Sequence, residues 1–239
     1  TRSSAASDVY KRQWLYIMRT MTGISHLLKP LEDVIRNKLI MILFNQQGIT
    51  DTEREIMSLP AKHGGVGLFD PCAISELEFN NSVLATKPIV NAILQQKVLL
   101  SKEETHTCNV EIKTAKSGIK TFKATLYKIN REKLKSKLSP TEQTNFSNLW
   151  EKGASSWLTS LPLVDFGFIL NKTEFQDALR LRYSKPLSNI PTYCACGKTN
   201  SASHALACKK GGFVSLRHNQ VRDLTIGMLT EAGCCLLYT

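Results

Sequence analysis

Residues Pro191 to Gly212 read PTYCACGKTNSASHALACKKGG, and the spacing Cys194-x-Cys196-x7-His204-x3-Cys208 decides how this end of the chain folds. Zinc takes a tetrahedral set of thiolate and imidazole ligands, and structural sites draw all four from protein. Two cysteines flanking one residue and followed by Gly197 can form a turn that presents both sulfurs to one ion. His204 and Cys208, four apart, project from one face of a helical turn. Cys194, Cys196, His204 and Cys208 are therefore the expected ligands of a structural zinc, with no vacant position for chemistry. The plainer reading is three thiols and a surface histidine that are neighbours by chance, and Cys-x-Cys is tighter than the commoner Cys-x2-Cys. A redox site would instead offer Cys-x2-Cys beside a βαβ pattern.

The chain turns basic immediately afterwards. Lys209, Lys210, Arg217, His218 and Arg222 follow with no acidic residue until Asp223. A helix is expected from Val214, with Val214, Val221, Leu224 and Met228 on one stripe. Beside a metal-stabilised turn these cations read as a phosphate-contacting patch. The bland alternative is a helix whose charges only keep it soluble, and His218 can equally cap or pack locally. Of the other cysteines, Cys72 and Cys108 are isolated thiols, and Cys234 and Cys235 fall in the tail. No export signal is evident from Trp14 onward, so a disulfide framework is not expected.

The 239 residues suffice for one large domain or two small ones, and 42% of them are hydrophobic. The longest strongly apolar run, Leu39 to Phe44, is far short of the roughly 20 residues a membrane span needs. Periodic apolar segments recur along most of the chain, which excludes wholesale disorder. A net charge of +11 favours a polyanionic partner over a membrane surface, the alternative being a solvated basic exterior.

Working towards the N-terminus, the pattern is helical almost throughout. From Trp14 to Phe44, Leu27, Leu28, Leu31, Val34, Ile35 and Leu39 recur at spacings of three and four, with Pro30 suited to a first turn. Asp51 to Ser58 reads as a short helix stopped before Pro60. In LPAKHGGVGLFDP, Leu59 to Pro71, Gly64, Gly65 and Gly67 predict a tight loop with left-handed angles. It is not a phosphate-binding fingerprint, since GGxG lacks the GxGxxG spacing and no strand leads into it. Ala73 to Leu100 is helical, broken or kinked at Pro88. Lys102 to Lys137 carries ten basic residues against four glutamates. A solvated helix or linker and a phosphate-tracking face weigh equally there, with Phe122, Leu126, Ile129, Leu134 and Leu138 as a buried stripe. Ser139-Pro140-Thr141-Glu142 is a capping box, after which Phe146, Leu149, Trp150 and Trp157 form an aromatic face expected to be core. Another helix is expected from Thr173, paired with Gln176 and burying Phe175, Ala178 and Leu179.

Both ends look foreign. Residues 1–13, TRSSAASDVYKRQ, resemble a translated sequencing-library adapter, and residues 234–239, CCLLYT, are similar in kind.

Four stretches carry a resemblance to a known family: Ser25 to Ile40, Leu59 to Leu68, Trp157 to Tyr183, and Cys194 to Leu224 with its CCHC block. Together, over residues 14–233, the chain resembles the C-terminal part of reverse transcriptases from non-LTR (LINE-like) retrotransposons. The branch is the one with a zinc knuckle ahead of a restriction-like endonuclease. The resemblance implies that Cys194, Cys196, His204 and Cys208 are the knuckle ligands. It also implies a polymerase palm before Trp14 and an endonuclease after Gly233, so that no catalytic residue carries over. Asp-Asp occurs nowhere, Glu32-Asp33 lies on an amphipathic helix, and Glu103-Glu104 is expected in a polar loop.

The expected fold is mainly α: a helical thumb-like region (14–70), a helical linker (71–190), and a small zinc-knuckle module with a basic helix (191–233). The expected role is holding RNA or DNA by the backbone, away from membranes, inside the cell and in the nucleus or between nucleus and cytoplasm. The parent protein would be an RNA-directed DNA polymerase. The alternative is a zinc-stabilised protein-interaction scaffold. An independent enzyme is the weakest reading: there is no G-x-S-x-G elbow, and His63 beside Gly64 is more simply a loop residue.

Overall fold

The stretch expected as one helical pattern from Trp14 to Phe44 is interrupted in the computed structural model, which describes residues 13–95, 102–160, 169–187, 190–210, 213–231 and 233. α1, residues 13–20, ends ahead of Gly23, whose φ of +70° turns the chain and whose N–H donates to Glu76 Oε1 at 2.7 Å. A 3-10 turn, Ser25–Leu28, leads into α2, Lys29–Val34, with Pro30 in its first turn as expected. α2 continues through a π turn, Ile35–Leu39, into α3, Ile40–Phe44, which Asn45 terminates in the left-handed conformation.

That π turn corrects the expected stripe. Leu27, Val34 and Leu39 are exposed, whereas Leu28, Glu32, Ile40 and Phe44 face inward. Steps of four residues drift roughly 40° around an α-helix. The wider π turn takes up the accumulated drift and returns Ile40 and Phe44 to the face that Leu28 began.

α4, Asp51–Ser58, has the bounds the sequence predicts, capped reciprocally by Thr50 and Glu53. The glycine loop then folds back on its end: the N–H of Gly67 donates to Leu59 O at 2.9 Å and that of Leu68 to Met57 O at 3.2 Å. Gly64 sits at φ +91°. A Cβ on Gly65 would lie 1.9 Å from Leu59 O, so only glycine lets the two backbone segments meet. Arg54 locks this arrangement. It forms a two-pronged pair with Glu32 at 2.7 and 2.6 Å, and donates further to Leu68 O at 2.7 Å and Phe69 O at 3.2 Å. Both partners of the pair are buried.

α5, Pro71–Leu94, starts under the Asp70 cap, whose Oδ1 accepts from the N–H groups of Cys72 and Ala73. It runs through Pro88 without breaking. Pro88 leaves the Leu84 carbonyl without its helical donor, and Leu84 lies in an exposed stretch where water can supply one. The expected helical residues 96–100 lie outside the described residues. α6, Lys102–Ser136, packs on α5 and is tied to it and to α1 through Glu78, which pairs with Lys123 and with Arg19. Its expected stripe is half right. Leu134 is buried and Leu126 and Leu138 are partly so, but Phe122 and Ile129 are exposed because they lie on the outer side of the helix.

α7, Pro140–Asn148, begins on the predicted Ser139–Glu142 box. Phe146 is buried edge-on against Trp150 at 5.1 Å, and the Arg131 guanidinium lies 3.8 Å over the Trp150 ring. α8, Ser156–Thr159, is a single turn. The chain divides into two compact units between Ile169 and Leu170. The second contains α9, Lys172–Arg182; α10, Ala202–Ala207; and α11, Phe213–Glu231. α9 starts on Asn171 paired with Glu174, two residues before the expected Thr173–Gln176 cap, because the Asn171 side chain takes the Glu174 N–H at 3.0 Å. Leu179 is buried as expected, with Phe175 and Ala178 partly so.

The protein is thus mainly α. Among the described residues no strand forms, and the one β-bridge joins Tyr193 and Thr199. No described helix is long and apolar enough to cross a membrane. The adapter-like ends lie outside the described residues except for Gln13.

Candidate metal centre

The second unit builds its centre from a turn and a short helix. Tyr193 and Thr199 bridge, the Cys194 N–H donates to Lys198 O at 2.9 Å, and the Gly197 N–H donates to Cys194 O at 2.8 Å. Gly197, at φ +85°, closes the turn in a conformation that L side chains rarely adopt. Cys194 and Cys196 leave this turn on the same side. Ser201 then caps α10 by accepting the His204 N–H at 3.1 Å, which fixes His204 in the first turn. Cys208 closes the helix one turn later, its N–H donating to His204 O at 2.8 Å.

The four side chains converge. One ligand atom from each of Cys194, Cys196, His204 and Cys208 lies within 4.8 Å of all the others. Cys194 Sγ and Cys208 Sγ are 3.6 Å apart, and Cys196 Sγ is 3.2 Å from His204 Nε2. Four ligands at ordinary zinc distances would be separated by roughly 3.5–3.8 Å along the tetrahedron edges. The Cys194–Cys208 pair already matches such a site, the Cys196–His204 pair is about 0.3 Å too close, and the widest separation exceeds the range by about 1 Å. A disulfide needs sulfurs about 2.05 Å apart, so Cys194 and Cys208 are free thiols.

Electrostatics oppose ionisation of the cluster while no cation is bound. At Cys194 the largest influence, a hydrogen bond from the Cys196 backbone, favours the thiolate; desolvation and the neighbouring Cys208 and Cys196 thiols outweigh it and raise the pKa. Crowded thiols resist ionising together unless a positive charge sits among them, and a metal ion supplies that charge. Three soft sulfurs and one imidazole suit a thiophilic divalent ion, and four protein ligands leave no open coordination position. The Cys3His set can hold a metal ion.

The sequence-predicted cations lie just beyond. Lys209 and Lys210 follow Cys208 and are exposed; Arg217, His218 and Arg222 are exposed on α11. Among the described residues no hydrogen bond or ion pair links Arg217 or His218 to the ligand set. Arg222 is held by its neighbour Asp223 at 2.7–2.8 Å. The apolar stripe on α11 is largely uncovered: Val214 is partly buried, Val221, Leu224 and Met228 are each about half exposed, and no residue of α11 is buried.

His63, read from the sequence as a plain loop residue, is more than that. His63 is buried beside Tyr127, ring centroids 5.8 Å apart, with neither ring nitrogen hydrogen-bonded. Burial first, then the charges of Lys62, Arg131 and Lys128, hold its pKa below the ordinary imidazole value. The signal available in sequence was a histidine flanked by Lys62 and the glycine pair; its burial depends on α6, more than sixty residues away.

No family model matches the chain, and no solved structure matches it. Over 73 residues it is 34% identical to a human protein bearing the name "Uncharacterized protein CD300LD-AS1", a match covering 30% of this chain and 30% of that protein. The chain thus matches less than a third of that relative's length.

Proposed function

We propose that Cys194, Cys196, His204 and Cys208 hold a structural zinc ion, and that the knuckle so formed presents Lys209, Lys210, Arg217, His218 and Arg222 to the backbone of RNA or DNA. The convergence of the four ligand atoms within 4.8 Å carries this reading. A closed ligand shell argues for shape rather than chemistry. The net charge of +11 supports a polyanionic partner. The resemblance of residues 14–233 to retrotransposon reverse transcriptases supports a place in a larger polymerase, with catalysis supplied by parts outside this chain.

The test has two arms. Purified protein should carry one zinc ion per chain, with thiolate-to-metal absorption on Co²⁺ exchange. Affinity for a mixed-sequence duplex should fall linearly with log salt, and K209E/K210E/R217E should flatten the slope by about 2.7, near 0.9 per lost contact. Absence of stoichiometric zinc, or a slope unchanged by the triple substitution, overturns the proposal.

A second reading, a zinc-stabilised protein-interaction scaffold, has the exposed Val221, Leu224 and Met228 of α11 in its favour. Binding of a protein partner through that stripe would survive the charge reversals and be lost in V221S/L224S.

A further inference from the structure

The first unit carries a charge pattern that the knuckle does not explain. At 100° per residue, eight of the nine Lys and Arg in α6, all but Lys133, fall within an arc of about 140°. The four glutamates occupy a separate arc of about 100°. The basic arc runs beside the buried seam along a helix about 50 Å long. Mere solubility requires no such separation of signs.

Parts of the stripe are already engaged: Lys123 pairs with Glu78, and Arg131 and Lys135 lie over Trp150. The middle is not. Lys113, Lys116 and Lys120 are exposed, three and four residues apart, with no ion pair among the described residues. Like charges at that spacing repel along the helix, and a polyanion laid across them removes the repulsion. At its C-terminal end the stripe reaches Trp150, which helps wall a cavity of about 230 Å³ together with Lys62, Lys152, Ser156 and Thr159. Two ammonium groups, Lys62 and Lys152, outnumber the one lining carboxylate, Glu151, and the hydroxyls of Ser155, Ser156 and Thr159 can donate to a phosphate group.

From the separation of signs on α6 we infer a second polynucleotide-binding surface on the first unit, in which Lys113, Lys116 and Lys120 track phosphates independently of the knuckle. It reads backbone and not bases, since Lys113, Lys116 and Lys120 offer point charges and no planar groups. The geometry is common to DNA and RNA, and the test separates them.

The full chain is titrated with a 30-bp duplex DNA, and with single-stranded RNA of the same sequence, from about 50 to 200 mM salt. K113E/K116E/K120E should lower the salt slope by about 2.7 on the duplex and about 2.1 on the single strand, with at least tenfold weaker binding at the lowest salt. K38E/K87E/K133E changes net charge equally at exposed positions off the stripe and should cost less than threefold. K113Q/K116Q/K120Q, which introduces no new charge, should give a smaller loss of the same sign, with helical circular dichroism unchanged in all three. Equal losses in the stripe and control triples, or none in the stripe triple, overturn the inference. Loss on K209E/K210E/R217E with none on the stripe triple leaves the knuckle proposal standing and removes this one; the reverse pattern does the opposite.

Discussion

The two units are held together by different means. In the first, Met18, Ile40 and Phe44 are fully buried, and among the described residues its buried carboxylates are matched by cations: Glu32 by Arg54, and Glu78 by Arg19 and Lys123. In the second, burial among the described residues is confined to α9, with Leu179, Arg180 and Arg182; α11 buries nothing, and the 193–208 segment has a bridge, a capped turn of helix and four converging ligand atoms instead. Burial requires length, because apolar area must be gathered from several helices. Coordination does not, and a bound ion would give some fifteen residues a defined shape.

Metal removal should therefore separate the two, with the largest effect. Structural zinc contributes about 10–16 kcal/mol of apparent binding energy in small domains. A chelator, or Cys208→Ser, should abolish amide-exchange protection at Gly197 and Cys208. All three tryptophans, Trp14, Trp150 and Trp157, lie in the first unit, so indole fluorescence should keep its unfolding midpoint. A common loss of both signals would break the contrast.

Glu32→Ala strikes the first unit where it depends on pairing. It strands a buried guanidinium and should cost about 3–5 kcal/mol in denaturant unfolding followed by tryptophan fluorescence, with zinc content unchanged. Replacing both partners, Glu32→Leu with Arg54→Met, should recover only part of this, because Leu68 O and Phe69 O lose their donor as well.

The smallest effect sharpens the picture at His63. Its folded pKa lies below the ordinary value of 6.5, so beneath that pH the unfolded chain binds the extra proton. Stability of the first unit should be fully present above about pH 6.5 and decline as pH falls towards the folded pKa. His63→Leu should flatten that decline, measured as the unfolding midpoint against pH.

Local signals in the sequence carried far. The Ser139–Glu142 cap, the left-handed Gly64 and Gly67 and the His204–Cys208 turn depend on neighbours within a few residues, so spacing was enough to read them. The failures are of longer range. Nothing near Val34 or Leu39 announces a π turn, whose cause is the need to bring Ile40 and Phe44 back to the interior. Phe122 and Val221 fit amphipathic stripes yet face outward, because periodicity gives a face without naming what covers it. The Asn171 cap lost to Thr173 in the reading because both are good cap residues with a Glu or Gln three positions on.

The widened turn at Ile35–Leu39 has a bearing on how this protein can vary in length. It is one residue of slack stored inside a helix. Deleting Asn37, which is exposed, would let the segment relax to ordinary winding with Leu28, Glu32, Ile40 and Phe44 still in line. Helix interiors are normally the places least forgiving of a lost codon; here the chain has one to spare.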